Sequence, residues 1–259
     1  MLNVLSYNLN GIRAAIKKGL FEWCNAGQWD VLAFQEIKAT EDQIEEDTLV
    51  KNGYHRYFNS AQKKGYAGTA FYSKFKPDEV IYGIGDELVD QEGRVLSLLF
   101  GNLLIVNAYF PSGSSSPEKQ ANKIHFLKVF QDWLQLQQVN FEKVIVLGDF
   151  NICHTELDIH QPKMSSKTPG YTPEERNWMT NLLHENWVDV FRVFYPQKIQ
   201  FSWWSYRTAA RARNKGWRID YALVNKGLQK NVKTVRYLDE AIHSDHCPLE
   251  LSINHSVFV

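Results

Sequence analysis

The sequence predicts an α/β protein in which two packed mixed β-sheets are flanked by helices. Apolar, strand-like runs recur from residue 4 to residue 251, some separated by segments of helical period and others following one another directly. Strict alternation would indicate a doubly wound parallel sheet, whereas this mixed order fits two sheets packed together with helices outside. Six of the runs, VLSYNLN, VLAFQE, LLIVNAYFP, VIVLGDFN, WRIDYAL and SDHCPL, break off into carboxylate, amide, tyrosine or histidine. No Pro/Ser-rich linker divides the 259 residues, of which 44% are hydrophobic and 14% aromatic, so one domain over 1–259 with an ample core is expected.

The elements follow in order. Residues 13–26 place Ile16, Leu20, Trp23 and Cys24 on one face and stop at Gly27, which predicts one helix. Thr40 and Gln43 have capping-box spacing and open a short acidic helix. Strands are predicted over 55–58, 67–73, 94–100 and 102–109, the last pair joined by a tight turn at Gly101-Asn102. Ile124, Leu127, Phe130 and Leu134 form an apolar helical stripe leading into the VIVL strand. Thr172 supplies an N-cap, Pro173 the first helical position and Glu175 the third, ahead of Trp178, Met179, Leu182 and Leu183. The Ser-, Pro- and Lys-rich loops 111–117 and 161–173 are long and follow polar-ended strands, where long loops tend to handle substrate.

The formal net charge is zero, so no global polybasic signature marks a nucleic-acid binder. Its distribution is uneven. Arg207, Arg211, Arg213, Lys215, Arg218, Lys226, Lys230, Lys233 and Arg236 crowd one stretch with Asp220 the one acid among them, which predicts a basic face for phosphates. Cys24, Cys153 and Cys247 are dispersed, odd in number and outside any CxxC, which argues against a disulfide framework or a zinc site and for a reducing compartment. The N-terminus lacks the pattern of a secretory leader and no apolar run spans a membrane, so a cytoplasmic location is expected.

The polar strand ends collect Asn8, Asn10, Glu36, Asn107, Tyr109, Asp149, Asn151, Asp220, Asp245 and His246. Packed strands gain nothing from such groups, and desolvating carboxylates is costly, so their recurrence predicts one shared site. Glu36 ends a buried run, where Mg²⁺ or Mn²⁺ would neutralise it, and Asp245, Asn10 and Asn8 are placed to complete or order the shell. His246 follows Asp245 directly, so their side chains point apart and the imidazole takes Asp220 as its orienting acid. Asp149 and Asn151, two apart, share a face in extended geometry, where a carboxylate and an amide can deprotonate a water and hold it in line with phosphorus. No GxSxG, P-loop or GxGxxG motif is present, which leaves water as the attacking group. Phe201, Trp203, Trp204, Tyr206 and Trp217 interleave with Arg207, Arg211 and Arg213. Adjacent Trp203 and Trp204 cannot both face the same way, so one is expected at the surface, able to stack on nucleic acid.

The landmarks SYNLNGIRA (6–14), QEIK (35–38), NAYFP (107–111), GDFN (148–151), LDIHQPK (157–163), GYTPEER (170–176), GWRIDY (216–221) and SDHCP (244–248) span the chain. In this order they resemble the exonuclease III group of apurinic/apyrimidinic (AP) endonucleases, within the endonuclease/exonuclease/phosphatase superfamily. The resemblance implies a four-layer, DNase I-like α/β sandwich, acting as a monomer on duplex DNA that contains abasic sites or blocked 3′-ends. It implies Mg²⁺-dependent cleavage 5′ to an abasic site, leaving a 3′-hydroxyl and a 5′-deoxyribose phosphate, with 3′-to-5′ exonuclease and 3′-phosphodiesterase or phosphatase side activities. Position by position it implies Glu36 as principal metal ligand with Asn10 and Asp245 nearby, Asp149 activating water, and Asn151 positioning it. Asn8 is similar to the family's active-site asparagine, Tyr109 to its phosphate-contacting tyrosine, and Asp220-His246 to its Asp-His pair. Trp203, Trp217 and Ile219 resemble a small pocket for a sugar that lacks its base. Asn10 stands where some members carry Asp, Ser112 where Asn or Gln is usual, Arg207 where an apolar wedge occurs and Ser115 where an arginine occurs. Three alternatives stay open: a dedicated 3′-end-processing enzyme, a phospholipid- or inositol-directed phosphoesterase, and a DNA-binding module without chemistry.

Overall fold

The computed structural model describes residues 1–254. Its strands are β1 (Leu2–Asn8), β2 (Val31–Gln35), β3 (His55–Asn59), β4 (Thr69–Ser73), β5 (Glu79–Tyr82), β6 (Val95–Phe100), β7 (Leu103–Tyr109), β8 (Lys143–Asp149), β9 (Trp187–Asp189), β10 (Asp220–Asn225), β11 (Val232–Tyr237) and β12 (Leu249–Ile253). They form two six-stranded sheets, ordered β11-β12-β1-β2-β4-β3 and β5-β6-β7-β8-β10-β9. Each sheet has a parallel pair at its centre, β1 with β2 and β7 with β8, and antiparallel pairing around it.

That arrangement decides where the polar groups go. Parallel pairing sends the C-terminal ends of β1, β2, β7 and β8 to one edge. Antiparallel β10 and β12 bring their beginnings to the same edge, with Asp220 in register with Asp149. Two of the six runs therefore deliver their polar residues at the start of a strand, where the sequence pattern suggested that all six do so at the end. Asp220 opens β10, and Asp245 and His246 precede β12.

The helices are α1 (Ile12–Ile16), α2 (Leu20–Ala26), α3 (Thr48–Lys51), α4 (Glu87–Asp90), α5 (Pro117–Asn140), α6 (Pro162–Ser165), α7 (Pro173–Glu185) and α8 (Val190–Phe194). The single helix expected over 13–26 is broken in two, because Gly19 takes a left-handed φ of 86° and caps α2. Its predicted stop at Gly27 holds. The acidic helix after Thr40 is one 3₁₀ turn, Glu41–Gln43, closed by the expected capping box. The Thr172/Glu175 box opens α7 as predicted.

Four layers result. Leu98, Ile105, Ile145, Val4 and Ala33 meet between the sheets. Phe126, Phe130 and Leu134 of α5 and Met179 and Leu182 of α7 cover the outer face of the second sheet, while Leu20, Phe21 and Cys24 of α2 cover the first. Burying each such side chain contributes about 1.5–3 kcal/mol. Asn107 is part of this framework. It sits between the sheets, accepts from Gln35 Nε2 at 2.8 Å and donates to the carbonyls of Phe34 and Ala70 at 3.0 Å, so it serves inter-sheet register and not the site. No helix among the described residues is long and apolar enough to cross a membrane.

Candidate active site

Asn10, Glu36 and Asn151 leave β1, β2 and β8 in the left-handed region, at φ of 49°, 53° and 51°. Asparagine tolerates this conformation, but glutamate gains nothing from it, and such strain gathers at functional sites. Hydrogen bonds fix the two exits of the first sheet together: Leu9 N to Gln35 O at 3.0 Å, Gly11 N to Glu36 O at 2.8 Å and Ile12 N to Ile37 O at 2.9 Å. The Asn10 and Glu36 side chains therefore stand on a continued ladder.

Asp149 is 1% exposed and is the centre of the arrangement. Its Oδ1 accepts from Asn151 N at 2.8 Å, and its Oδ2 from Asn8 Nδ2 at 2.8 Å and Asn151 Nδ2 at 3.0 Å. Asn151 reaches it through the left-handed turn, not by extended pleating as the spacing suggested, since φ of 51° folds the chain back. Burial pushes the Asp149 carboxyl up to about 7, with Asp220 adding to the rise and His246 opposing it. A carboxyl so placed can exchange a proton near neutral pH.

His246 Nδ1 lies 2.9 Å from Asp220 Oδ2, as the sequence required, and its Nε2 lies 3.9 Å from Asp149 Oδ2. Burial works against the charged imidazole, but Asp220, then Asp149 and Asp245, more than reverse this and raise it to about 10. These acids favour the charged imidazole, which is suited to donate to an anionic oxygen. Trp203 Nε1 and Asn10 Nδ2 each donate to Asp245 at 3.0 Å.

Lys38, which no sequence pattern singled out, bridges the other side. Its Nζ is 2.8 Å from Glu36 Oε1 and 2.7 Å from Asn10 Oδ1. A cation thus already joins two of the expected metal ligands, and Asn10 in turn holds Asp245. These hard oxygen donors fit a divalent cation of the Mg²⁺ or Mn²⁺ kind. Asp149, Asp220 and His246 also have potential ligand atoms within 4.8 Å of one another.

Around these groups runs a cleft of about 400 Å³, with Tyr109, Ser112, Trp203, Trp217 and Ile219 in its walls. Trp203 and Trp217 pair through their backbones at 2.9 Å and meet edge to face at 5.9 Å. Cys153, Ile159 and Tyr171 pack with these two and Ile219. Trp204 is buried, which leaves Trp203 as the member of the adjacent pair that reaches the site. Buried Arg94 lies 4.8 Å from the Tyr109 ring and donates to Tyr109 O at 3.0 Å, while burial and nearby Glu36 raise the Tyr109 phenol, keeping it a donor. A second cavity of about 620 Å³ adjoins through Lys38 and carries Arg13 and Lys17. Lys38 and Arg13 lie inside the QEIK and SYNLNGIRA motifs; lysine two residues after a strand-ending glutamate was the available signal.

The basic stretch is less uniform than its sequence. Arg207 and Arg213 are exposed. Arg211, expected to bind DNA, instead clamps the chain ahead of His246: it donates to the carbonyls of Asp239 at 2.6 Å, Ala241 at 2.7 Å and Ser244 at 3.4 Å, with its guanidinium 4.8 Å from the Trp204 ring. Arg218, counted in the basic face, is fully buried against Asp158 and Asp189.

A family model described as the Endonuclease/Exonuclease/phosphatase family matches residues 5–246. An exodeoxyribonuclease of Bacillus subtilis (strain 168) is 39% identical over 256 residues, covering 98% of this chain and 100% of the relative. The fold is similar to that of a 3′ phosphatase from Neisseria solved with a product DNA hairpin, with a TM-score of 0.90, 25% identity and coverage of 98% and 100%. An AP endonuclease from Archaeoglobus fulgidus gives a TM-score of 0.89 at 26% identity, covering 98% of this chain and 99% of its own.

Proposed function

The chain belongs to the endonuclease/exonuclease/phosphatase family, as a phosphodiester-cleaving nuclease of the exonuclease III type, and from that premise we propose that it incises duplex DNA 5′ to abasic sites with Mg²⁺. The observation that carries the reading is the buried Asp149 carboxylate facing the Asp220-held His246 beside the wall of Trp203, Trp217 and Ile219. Asp149 takes a proton from water, and Asn151 and Asn8 fix the carboxylate so that the water stands in line with phosphorus. His246, held by Asp220, donates to a non-bridging phosphate oxygen as negative charge builds there. Tyr109 donates to the same phosphate from the opposite wall. Glu36, with Asn10 and Asp245, would hold Mg²⁺, or Mn²⁺ in its place, which when bound neutralises phosphate charge. Trp203, Trp217 and Ile219 line the wall that accepts a sugar without its base. Arg207 and Arg213, with Arg13 and Lys17 of the adjoining cavity, supply phosphate contacts along the duplex.

The test is a duplex carrying one tetrahydrofuran abasic analogue, run beside recessed 3′-hydroxyl and 3′-phosphate duplexes. Internal incision that EDTA and Asp149→Ala both abolish supports the reading. A second reading, a dedicated 3′-end-processing exonuclease or phosphodiesterase, draws support from Ser112 and Arg207 and from the likeness to the Neisseria phosphatase. Degraded or dephosphorylated 3′-ends with the internal site left intact would favour it.

A further inference from the structure

Directly behind the GDFN turn lies a second pair of opposite charges that the reaction above does not use. Lys123 of α5 and Glu175 of α7 are both fully buried, with Nζ and Oε1 2.6 Å apart. Taking two charges out of water costs at least as much as their attraction returns, and a well-packed apolar pair often serves stability equally well. Packing α5 on α7 therefore does not call for ions here. What the ions do, and methyl groups cannot, is grip peptide groups.

Lys123 Nζ donates to the carbonyl of Asn151 at 2.7 Å. That residue's N–H and side-chain amide are the two donors it gives to Asp149, and its φ of 51° is a left-handed turn that asparagine tolerates and the surrounding bonds hold in place. Glu175 accepts the N–H of Gly170 at 2.9 and 2.8 Å on its two oxygens, and that of Thr172 at 2.9 Å. Gly170 is wedged so tightly that a Cβ there would stand 2.8 Å from the Trp217 ring and 3.0 Å from Asn151 O, and its carbonyl accepts Cys153 N at 2.7 Å. One ion pair thus holds both the peptide that aims Asp149 and the peptide that backs the Trp217 wall.

We propose that Lys123 and Glu175 form a positioning unit for cleavage, registering helices α5 and α7 to the two halves of the cleft through the Asn151 and Gly170 peptides. The proposal rests on the nuclease reading for its kinetic consequence, but not for its structural one.

The deciding variant is the double replacement Lys123→Met/Glu175→Leu, which removes both charges at similar volume. Its thermal midpoint is expected to fall, because the Asn151 carbonyl and the Gly170 and Thr172 N–H groups lose buried partners. On the tetrahydrofuran duplex, kcat is expected to fall about 10- to 100-fold with KM little changed, because a misaligned Asp149 slows the chemistry without weakening the grip on DNA. Without DNA, amide hydrogen exchange at residues 149–152 and 168–172 is expected to accelerate. Glu175→Gln, which keeps the shape, serves as a second variant should the double one unfold, and should show the same two losses to a smaller degree. Wild-type exchange protection together with wild-type kcat in a folded variant would overturn the proposal. The exchange arm stands without substrate, so a wild-type chain that leaves the duplex uncut counts against the nuclease reading alone.

Discussion

Two buried charge clusters lie at opposite ends of the Arg218-Ile219-Asp220 segment, and they are balanced differently. On one side Arg218 Nε meets Asp158 at 2.6 Å, its NH2 meets Asp189 at 2.7 Å, and Arg192 adds a second cation to Asp158. Burial pushes the Asp158 carboxyl up, but Arg218 and Arg192 hold it well below the usual carboxylate range. On the other side Asp149, Asp220 and Asp245 face one imidazolium. Burial, with Asp220 beside it, raises the Asp149 carboxyl to about 7. A balanced cluster holds loops together. A cluster with excess acid is unfinished until a cation or a proton arrives, which is what a phosphodiester-cleaving site requires.

The largest expected effect breaks the unfinished cluster. Asp149→Asn removes the proton acceptor and should lower kcat about 100- to 10,000-fold on an abasic duplex, measured at saturating Mg²⁺. The same variant, freed of a buried carboxylate beside Asp220, should melt no lower than the wild type at pH 8 in EDTA. A clear fall in its midpoint would mean that the acid excess is not a stored cost.

Breaking the balanced cluster should do the reverse. Arg218→Met strands Asp158 and Asp189 in the interior and is expected to cost about 3–5 kcal/mol of stability, read from chemical denaturation. Activity should follow only as far as the Trp217 and Ile219 wall moves. Full stability in this variant would remove the distinction between the clusters.

The contrast bears on what the sequence could convey. Polar groups at strand mouths were legible because apolar periodicity locates strand ends; adjacency excluded Asp245 as partner of His246, and Asp220 after the Trp217-Arg218-Ile219 run was the natural candidate. The exits of β1 and β2 and the Thr172/Glu175 box were readable for the same local reasons. Partnership across long separations was not. Arg211, Arg213 and Arg218 look alike in a basic run, yet Arg218 is committed to acids 60 and 29 residues away, and Arg211 to three carbonyls. Neither Lys123 nor Glu175 carries any local mark of the buried ion pair that joins two separate helices. Gly19 could have been suspected of breaking the helix over 13–26, since left-handed glycine is a local property, but the continuous apolar face outweighed it.

Stability against pH sharpens the comparison further. In the metal-free protein the raised Asp149 carboxyl binds a proton in the folded state between about pH 4 and its value of about 7, so its contribution declines as pH rises through that window. The raised His246 contributes fully below about pH 6.5 and loses its contribution as pH climbs through about 10. The depressed Asp158 does the opposite: its contribution is present above about pH 4 and is lost on acidification. Thermal midpoints in EDTA should therefore fall with rising pH, a fall that Asp149→Asn flattens between about pH 4 and 7, and should show an acid limb that Asp158→Asn flattens. Interchanged effects of the two variants would sink the assignment of charge excess to the catalytic side.

The smallest effect separates two arginines that sequence alone could not. Arg207 is exposed, so Arg207→Ala should weaken binding to any duplex, abasic or intact, and reduce the slope of log affinity against log salt by about 0.9, the share of one neutralised phosphate. Arg211 spends its donors on the carbonyls that lead into Ser244-Asp245-His246, so Arg211→Ala should leave that slope unchanged, lower kcat and lower the thermal midpoint. Fluorescence anisotropy across a salt series, with Mg²⁺ omitted to prevent cleavage, distinguishes them. An equal change of slope in both would return Arg211 to the DNA face that its sequence neighbours suggested, and would leave the turn before His246 held by Trp203, Trp204, Ser202, Asn10 and Lys18.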